Sequence, residues 1–213
     1  MRLYGYFRSS AAYRCRIALN LKGLPHELVS VHLRKGEQRG ESFLKLNPQG
    51  LVPALEEGGR LITQSLAIME WLEETHPTPA LLPRDPFERA HVRALALSIA
   101  CEIHPFQNLR VLNHLRTELG QDQAGLDRWC RRWIETGLGA YEQTLLATGT
   151  AGAFSFGDTP TIADACLLPQ VFSAARFGAD ISGLRTIERI ARSAAAHPAF
   201  IAAHPSKQPD FEA

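Results

Sequence analysis

The chain has 213 residues, 45% of them hydrophobic and 21% charged, with a formal net charge of +1. That length supports one large or two small packed domains. The near-zero charge excludes the long-range attraction that a nucleic-acid or acidic-membrane partner would need. No apolar run approaches the roughly 20 residues needed to cross a bilayer, and MRLYGYF is too short and polar for a secretory core and reads as a first strand. The expected location is the cytoplasm. Cys15, Cys101, Cys130 and Cys166 form no CxxC pair, and the eight histidines show no ligand spacing. Most of the cysteines therefore read as small buried hydrophobes rather than a disulfide framework, and no metal site is expected.

The first 75 residues alternate between strand and helix patterns. Leu3 to Phe7 predicts a strand, and Tyr13 to Lys22 a helix that stops at Gly23 and Pro25. Glu27 to Leu33 predicts a strand, and Glu37 to Leu46 a second helix closed by Asn47-Pro48. Val52 to Glu56 and Leu61 to Thr63 are strands separated by the hairpin signal Gly58-Gly59, and LAIMEWLEE after Ser65 has helical spacing. The order βαβαββα implies a mixed sheet with helices on it. His76 to Pro86 carries Pro77, Pro79, Pro83 and Pro86 and reads as a linker. Beyond it only helices are expected: Phe87 to Leu119, Ala124 to Thr148, Thr161 to Phe177 and Leu184 to Ala196. The fold class is therefore an α/β domain followed by an all-α domain.

Ser9 and Ser10 stand where a strand feeds a helix, so hydroxyls and free N–H groups share one small volume suited to an anion. An ordinary serine N-cap gives the same pattern, and spacing alone does not decide between them. Val52-Pro53, read alone, is a proline that opens a strand. Gln64-Ser65 is a second strand-to-helix junction, again either a cap or an anion seat. Thr161 to Asp164 is a capping box, so Asp164→Ala is expected to weaken folding by roughly 1 kcal/mol or more and leave chemistry alone.

Three segments carry a resemblance. RSSAAYRCRIALNLKG (Arg8 to Gly23) is similar to the SSCxxRVRIAL signature of the zeta class of glutathione transferases, the maleylacetoacetate isomerases. LNPQGLVPALEEGGRLITQSLAIMEWLEE (Leu46 to Glu74) resembles that family's glutathione-site region, and FGDTPTIADACLLPQV (Phe156 to Val171) its helical-domain motif. The resemblance implies a thioredoxin-like glutathione-binding domain over 1–76, a linker over 77–86, and an all-helical domain over 87–213 that contributes the substrate site. It implies glutathione as cofactor and a homodimer, with Glu102 reaching toward the partner's glutathione.

By the same resemblance Ser9 stabilises the glutathione thiolate, with Ser10 in support and Ala11 beside them. Val52, before a cis Pro53, pairs with the cysteinyl part, and Gln64 and Ser65 hold the γ-glutamyl carboxylate. Gln38, His104, Asn108, Leu109 and Arg110 complete the glutathione site; the i, i+4 spacing of His104 and Asn108 predicts one shared helix face. Arg8, Arg110 and Arg176 are candidates to clamp a dicarboxylate substrate, since a guanidinium fork binds carboxylate bidentately. Ala11 replaces the cysteine common in the family. The implied chemistry needs the glutathione sulfur and not a protein thiol, so this departure is tolerable. The implied reaction is cis–trans isomerisation of maleylacetoacetate to fumarylacetoacetate, in tyrosine and phenylalanine breakdown. The alternatives are maleylpyruvate in gentisate degradation, a transferase or dehalogenase that consumes glutathione, and a silent binding module.

Overall fold

The structure, a computed structural model, describes residues 1–212. Contacts divide the chain into two compact units: Met1–Leu81 together with the segment from Ala195 onward, and Leu82–Ala194.

In the first unit the elements are β1 (Arg2–Gly5), α1 (Ser10–Leu21), β2 (Glu27–Ser30), 3₁₀ turns at Leu33–Lys35 and Glu37–Arg39, α2 (Glu41–Leu46), β3 (Ala54–Glu57), β4 (Arg60–Thr63) and α3 (Ser65–Thr75). The sheet order is β2-β1-β3-β4, with β1 parallel to β2 and antiparallel to β3. The predicted mixed sheet is thus present. The second helix is shorter than expected, because Gly40, in extended backbone, breaks Glu37–Leu46 into a 3₁₀ turn and one short helix. Gly58 and Gly59 both adopt positive φ (58° and 74°), as a two-residue β3–β4 hairpin needs.

Helix α1 is buried through most of its length, Arg14 and Arg16 included. It packs against α3 and against α9 (Pro198–Ala203), a helix that proline-led local patterning hides. The expectation of one helical body over 87–213 therefore differs at its end, since α9 and the residues after it cluster with the sheet. The linker also begins later than its prolines suggest. The Lys22 ammonium donates to Glu73 Oε2 (2.6 Å), His76 O (2.7 Å) and Pro79 O (2.8 Å), and the Leu81 N–H donates to Glu73 Oε2 at 2.9 Å. These bonds tie residues 76–81 to the first unit.

The second unit is helical: α4 (Pro86–Glu102), a 3₁₀ turn at His104–Gln107, α5 (Leu109–Thr117), α6 (Gln123–Thr148), α7 (Ile162–Phe177) and α8 (Arg185–Ala195). Its core includes Val92, Leu95, Ile99, Ile134, Leu138 and Leu167. The predicted helix from Phe87 to Leu119 is split, because Pro105 lacks the N–H an α-helix interior requires. The capping box is present: Thr161 N–H donates to Asp164 Oδ2 at 2.8 Å while the Thr161 side chain accepts from Ala163 N–H at 3.2 Å. Among the described residues no helix is long and apolar enough to cross a membrane.

Candidate functional site at one end of the sheet

Strand register collects the first-unit candidates. Tyr4 pairs with Ala54 and Ala54 with Thr63. The residues after β1 (Arg8 to Ala11), those before β3 (Val52, Pro53) and those after β4 (Gln64, Ser65) therefore leave the sheet at the same end. Gly5 lets α1 turn back tightly there, since a Cβ on it would lie 3.1 Å from the Ala12 Cβ.

At the β1–α1 junction, Ser9 is the N-cap of α1. Its Oγ accepts from Ala12 N–H at 3.2 Å, and its own N–H donates to Tyr6 O at 3.0 Å. A hydroxyl has one hydrogen and two lone pairs, so capping leaves the O–H hydrogen to donate. Cap and anion donor are compatible in this one side chain. Ser10 opens the helix, and the Ala11 N–H has no hydrogen-bond partner among the described residues. Ala11 itself brings no polar group beyond its backbone.

The loop that carries these residues is held from two sides. Arg16, 1% exposed, donates from Nη2 to Phe7 O (2.9 Å), from Nη1 to Tyr6 O (3.4 Å) and from Nε to Ala203 O (3.0 Å). Burial lowers its pKa to about 10, which still leaves it charged at neutral pH. From the other side Asp210 Oδ2 accepts from Phe7 N–H (2.9 Å) and Ser30 Oγ (3.1 Å), and Phe211 meets the Phe7 ring edge-on at 5.4 Å. The Arg8 guanidinium lies 5.9 Å from the Phe7 ring centroid. Arg16 and Asp210 carry no motif signal, only a charge inside an otherwise apolar or terminal stretch.

At the β3 entry the Val52–Pro53 bond is cis, and neither Val52 N–H nor C=O has a partner among the described residues. That leaves one strand-like donor–acceptor pair for an extended peptide. Asn47 shapes the approach, its Nδ2 donating to Leu51 O at 2.7 Å and its Oδ1 accepting from Gln49 N–H at 3.1 Å. A Cβ on Gly50 would lie 3.0 Å from Gln38 O. Gln38 is buried, and its Oε1 lacks a hydrogen-bond partner among the described residues.

At the β4–α3 junction Gln64 has a φ of 72°, a left-handed conformation rare outside glycine, and makes no side-chain cap. Its Nε2 donates to Gln49 Oε1 at 2.8 Å. Ser65 follows, buried, accepting from Arg14 Nη1 at 3.3 Å.

The remaining candidates belong to the helical unit. His104 starts the 3₁₀ turn, and Asn108 caps α5 by accepting from Arg110 N–H at 3.1 Å; Leu109 is the first residue of α5. His104 and Asn108 therefore do not share an α-helical face, a correction that follows from Pro105. The turn is braced by Trp129 Nε1 donating to Phe106 O (2.8 Å) and by Phe106 stacked on Trp133 at 4.1 Å. Arg110 is exposed on α5. Arg176, on the last turn of α7, holds its guanidinium 4.7 Å over the Phe177 ring. Of the cysteines, Cys15, Cys130 and Cys166 are buried and Cys101 is exposed.

The family model described as the glutathione S-transferase N-terminal domain matches residues 8–75, which defines the class to which the first unit belongs. The chain is 48% identical to maleylacetoacetate isomerase of Pseudomonas aeruginosa, covering 100% of both chains. It superposes on the holo structure of a maleylpyruvate isomerase, a bacterial zeta-class glutathione transferase, with a TM-score of 0.98, 48% identity and full coverage of both chains. A maleylacetoacetate isomerase of Methylobacterium extorquens AM1, solved with malonate and glutathione, matches with a TM-score of 0.97 and 40% identity, again over 100% of each chain. The chain belongs to the zeta class of glutathione transferases, the family of the maleylacetoacetate and maleylpyruvate isomerases.

Proposed function

We propose that the chain is a glutathione-dependent cis–trans isomerase of a short unsaturated diacid, maleylacetoacetate, yielding fumarylacetoacetate. The carrying observation is full-length identity of 48% to a maleylacetoacetate isomerase. The donor set supports it. A tripeptide thiol needs a donor for its sulfur, a strand-like backbone partner and a carboxylate seat. The sheet end offers the Ser9 hydroxyl and Ala11 N–H, the unpaired Val52 backbone, and the uncapped start of α3 beside Gln64 and Ser65.

Bound glutathione supplies the sulfur nucleophile that makes the double bond transiently rotatable and is regenerated. The chain's own residues keep that sulfur ionised and orient the diacid. A free thiol has a pKa of about 8.5, and lowering it by about two units needs about 2.7 kcal/mol of anion stabilisation. Ser9 and the first turn of α1 supply it, with Ser10 in support. Gln38, Pro53, His104, Asn108, Leu109 and Arg110 line the cofactor's site. Arg8, Arg110 and Arg176 take the substrate's carboxylates, which fixes the olefin against the sulfur and stabilises charge that develops on its oxygens. The enzyme acts as a cytoplasmic homodimer, residues 87–194 contributing the substrate side.

Maleylpyruvate is the second reading, favoured by the TM-score of 0.98 to an isomerase of that diacid. Both substrates, assayed with and without glutathione while free thiol is counted, test the proposal. Turnover that needs glutathione and leaves thiol constant supports isomerisation, and the larger kcat/KM names the diacid. Falling thiol would make the chain a consuming transferase or dehalogenase, and turnover independent of glutathione would remove the proposal.

A further inference from the structure

Helix α1 and its C-cap bury three cations, and they are satisfied very differently. Lys22 directs its ammonium at Glu73 and two carbonyls, and Arg16 gives its donors to three carbonyls. Arg14, 2% exposed, spends Nη1 on Ser65 Oγ, while Nε and Nη2 have no hydrogen-bond partner and no acid forms an ion pair with it among the described residues. Arginine is almost never this deeply buried without a counter-ion.

The group that Arg14 touches opens α3. The first backbone bond of that helix runs from Ile68 N–H to Gln64 O, so among the described residues the N–H groups of Ser65, Leu66 and Ala67 are unspent and no side chain caps them. An 11-residue helix therefore presents its positive end, with a second, unneutralised positive charge directly behind its first side chain. Both features call for one anion.

We propose that Arg14 is a positioning residue for the α-carboxylate of the γ-glutamyl end of the tripeptide, a proposal that rests on the glutathione reading. By donating to Ser65 Oγ, Arg14 occupies a lone pair of that hydroxyl and turns its hydrogen away, toward the ligand. Its charge is balanced only when the ligand carboxylate arrives. Arg14 thus makes binding depend on that carboxylate while weakening the ligand-free fold.

Calorimetric binding of glutathione and of its analogue lacking the γ-glutamyl α-carboxylate (4-aminobutyryl-cysteinylglycine) tests this in the full chain. Arg14→Met is expected to weaken glutathione about tenfold or more and the analogue by no more than about twofold. Arg14→Lys restores part of the lost discrimination. The ligand-free melting temperature of Arg14→Met stays at or above the native value, because an unbalanced buried charge has gone. Equal weakening of both ligands, or of neither, overturns the assignment and leaves Arg14 a fold residue. Native protein that binds neither ligand removes the glutathione reading instead, so the two failures are distinct. If Arg14→Met does not fold, Arg14→Gln, which keeps a donor for Ser65 without the charge, is read by the same comparison.

Discussion

Ser9 does two jobs that substitution can separate. Ser9→Ala removes the acceptor for Ala12 N–H at 3.2 Å, an N-cap loss of about 1 kcal/mol. It also removes a hydroxyl donor from the bound sulfur. A hydrogen bond to a charged group contributes about 1.5–3 kcal/mol, which at 1.36 kcal/mol per unit raises the bound thiol's pKa by about one to two units. Ser9→Gly costs only a few tenths of a kcal/mol as a cap but loses the same donor. Both variants are therefore expected to raise the thiol pKa of bound glutathione alike, read from ultraviolet absorbance of the thiolate against pH, while only Ser9→Ala loses noticeable stability. Turnover at neutral pH falls about 10- to 100-fold in both, since the Ala11 N–H and the helix end remain. An unchanged thiol pKa alongside a destabilised Ser9→Ala would reduce Ser9 to a helix cap with no part in holding the thiolate.

Four further outcomes are expected. Asp164→Ala strands the buried donors Ser155 N–H and Thr161 N–H, now bound at 2.7 and 2.8 Å, and lowers unfolding free energy by about 2–3 kcal/mol in urea while activity per folded molecule holds. Arg176→Met raises KM for the diacid about tenfold with glutathione affinity unchanged; a matching loss for glutathione would move Arg176 out of the substrate clamp. Cys101, exposed, reacts with a thiol reagent in the folded protein, whereas Cys130, its pKa pushed up by burial to about 12, does not. The bond to His32 (2.8 Å) holds Glu212 below the usual carboxylate range. A depressed acid contributes stability above its unfolded pKa and loses it as pH falls through the folded one, so the C-terminal tail loosens in acid. Faster hydrogen exchange at Phe7 N–H below that point would show it, and pH-independent protection would count against it.

Much of the sheet was legible because its cues are local. Gly58-Gly59 marks a hairpin on sight, and Gly23-Pro25 ends α1 where a helix must stop. Pro105 was equally visible, yet the apolar period on both sides of it invited one long helix and a false shared face for His104 and Asn108. The fate of Arg14 and Arg16 was not legible. Nothing local marks either as buried; the packing of α3 and of the returning α9 on that helix encloses them. The tail's hold on Phe7 depends on a pairing 203 residues apart in sequence, for which no local period exists. Ser9, Val52 and Ser65 share one end of the sheet through strand register, which follows from the βαβαββα order. The motif's resemblance supplied what each would bind.

Whether a borrowed sulfur sits as an anion at the start of α1 is decided by a crystal structure of the chain with glutathione. The sulfur is expected within hydrogen-bond reach of Ser9 Oγ, with the cysteinyl backbone paired to Val52. A sulfur that points elsewhere while the tripeptide is fully bound would contradict it.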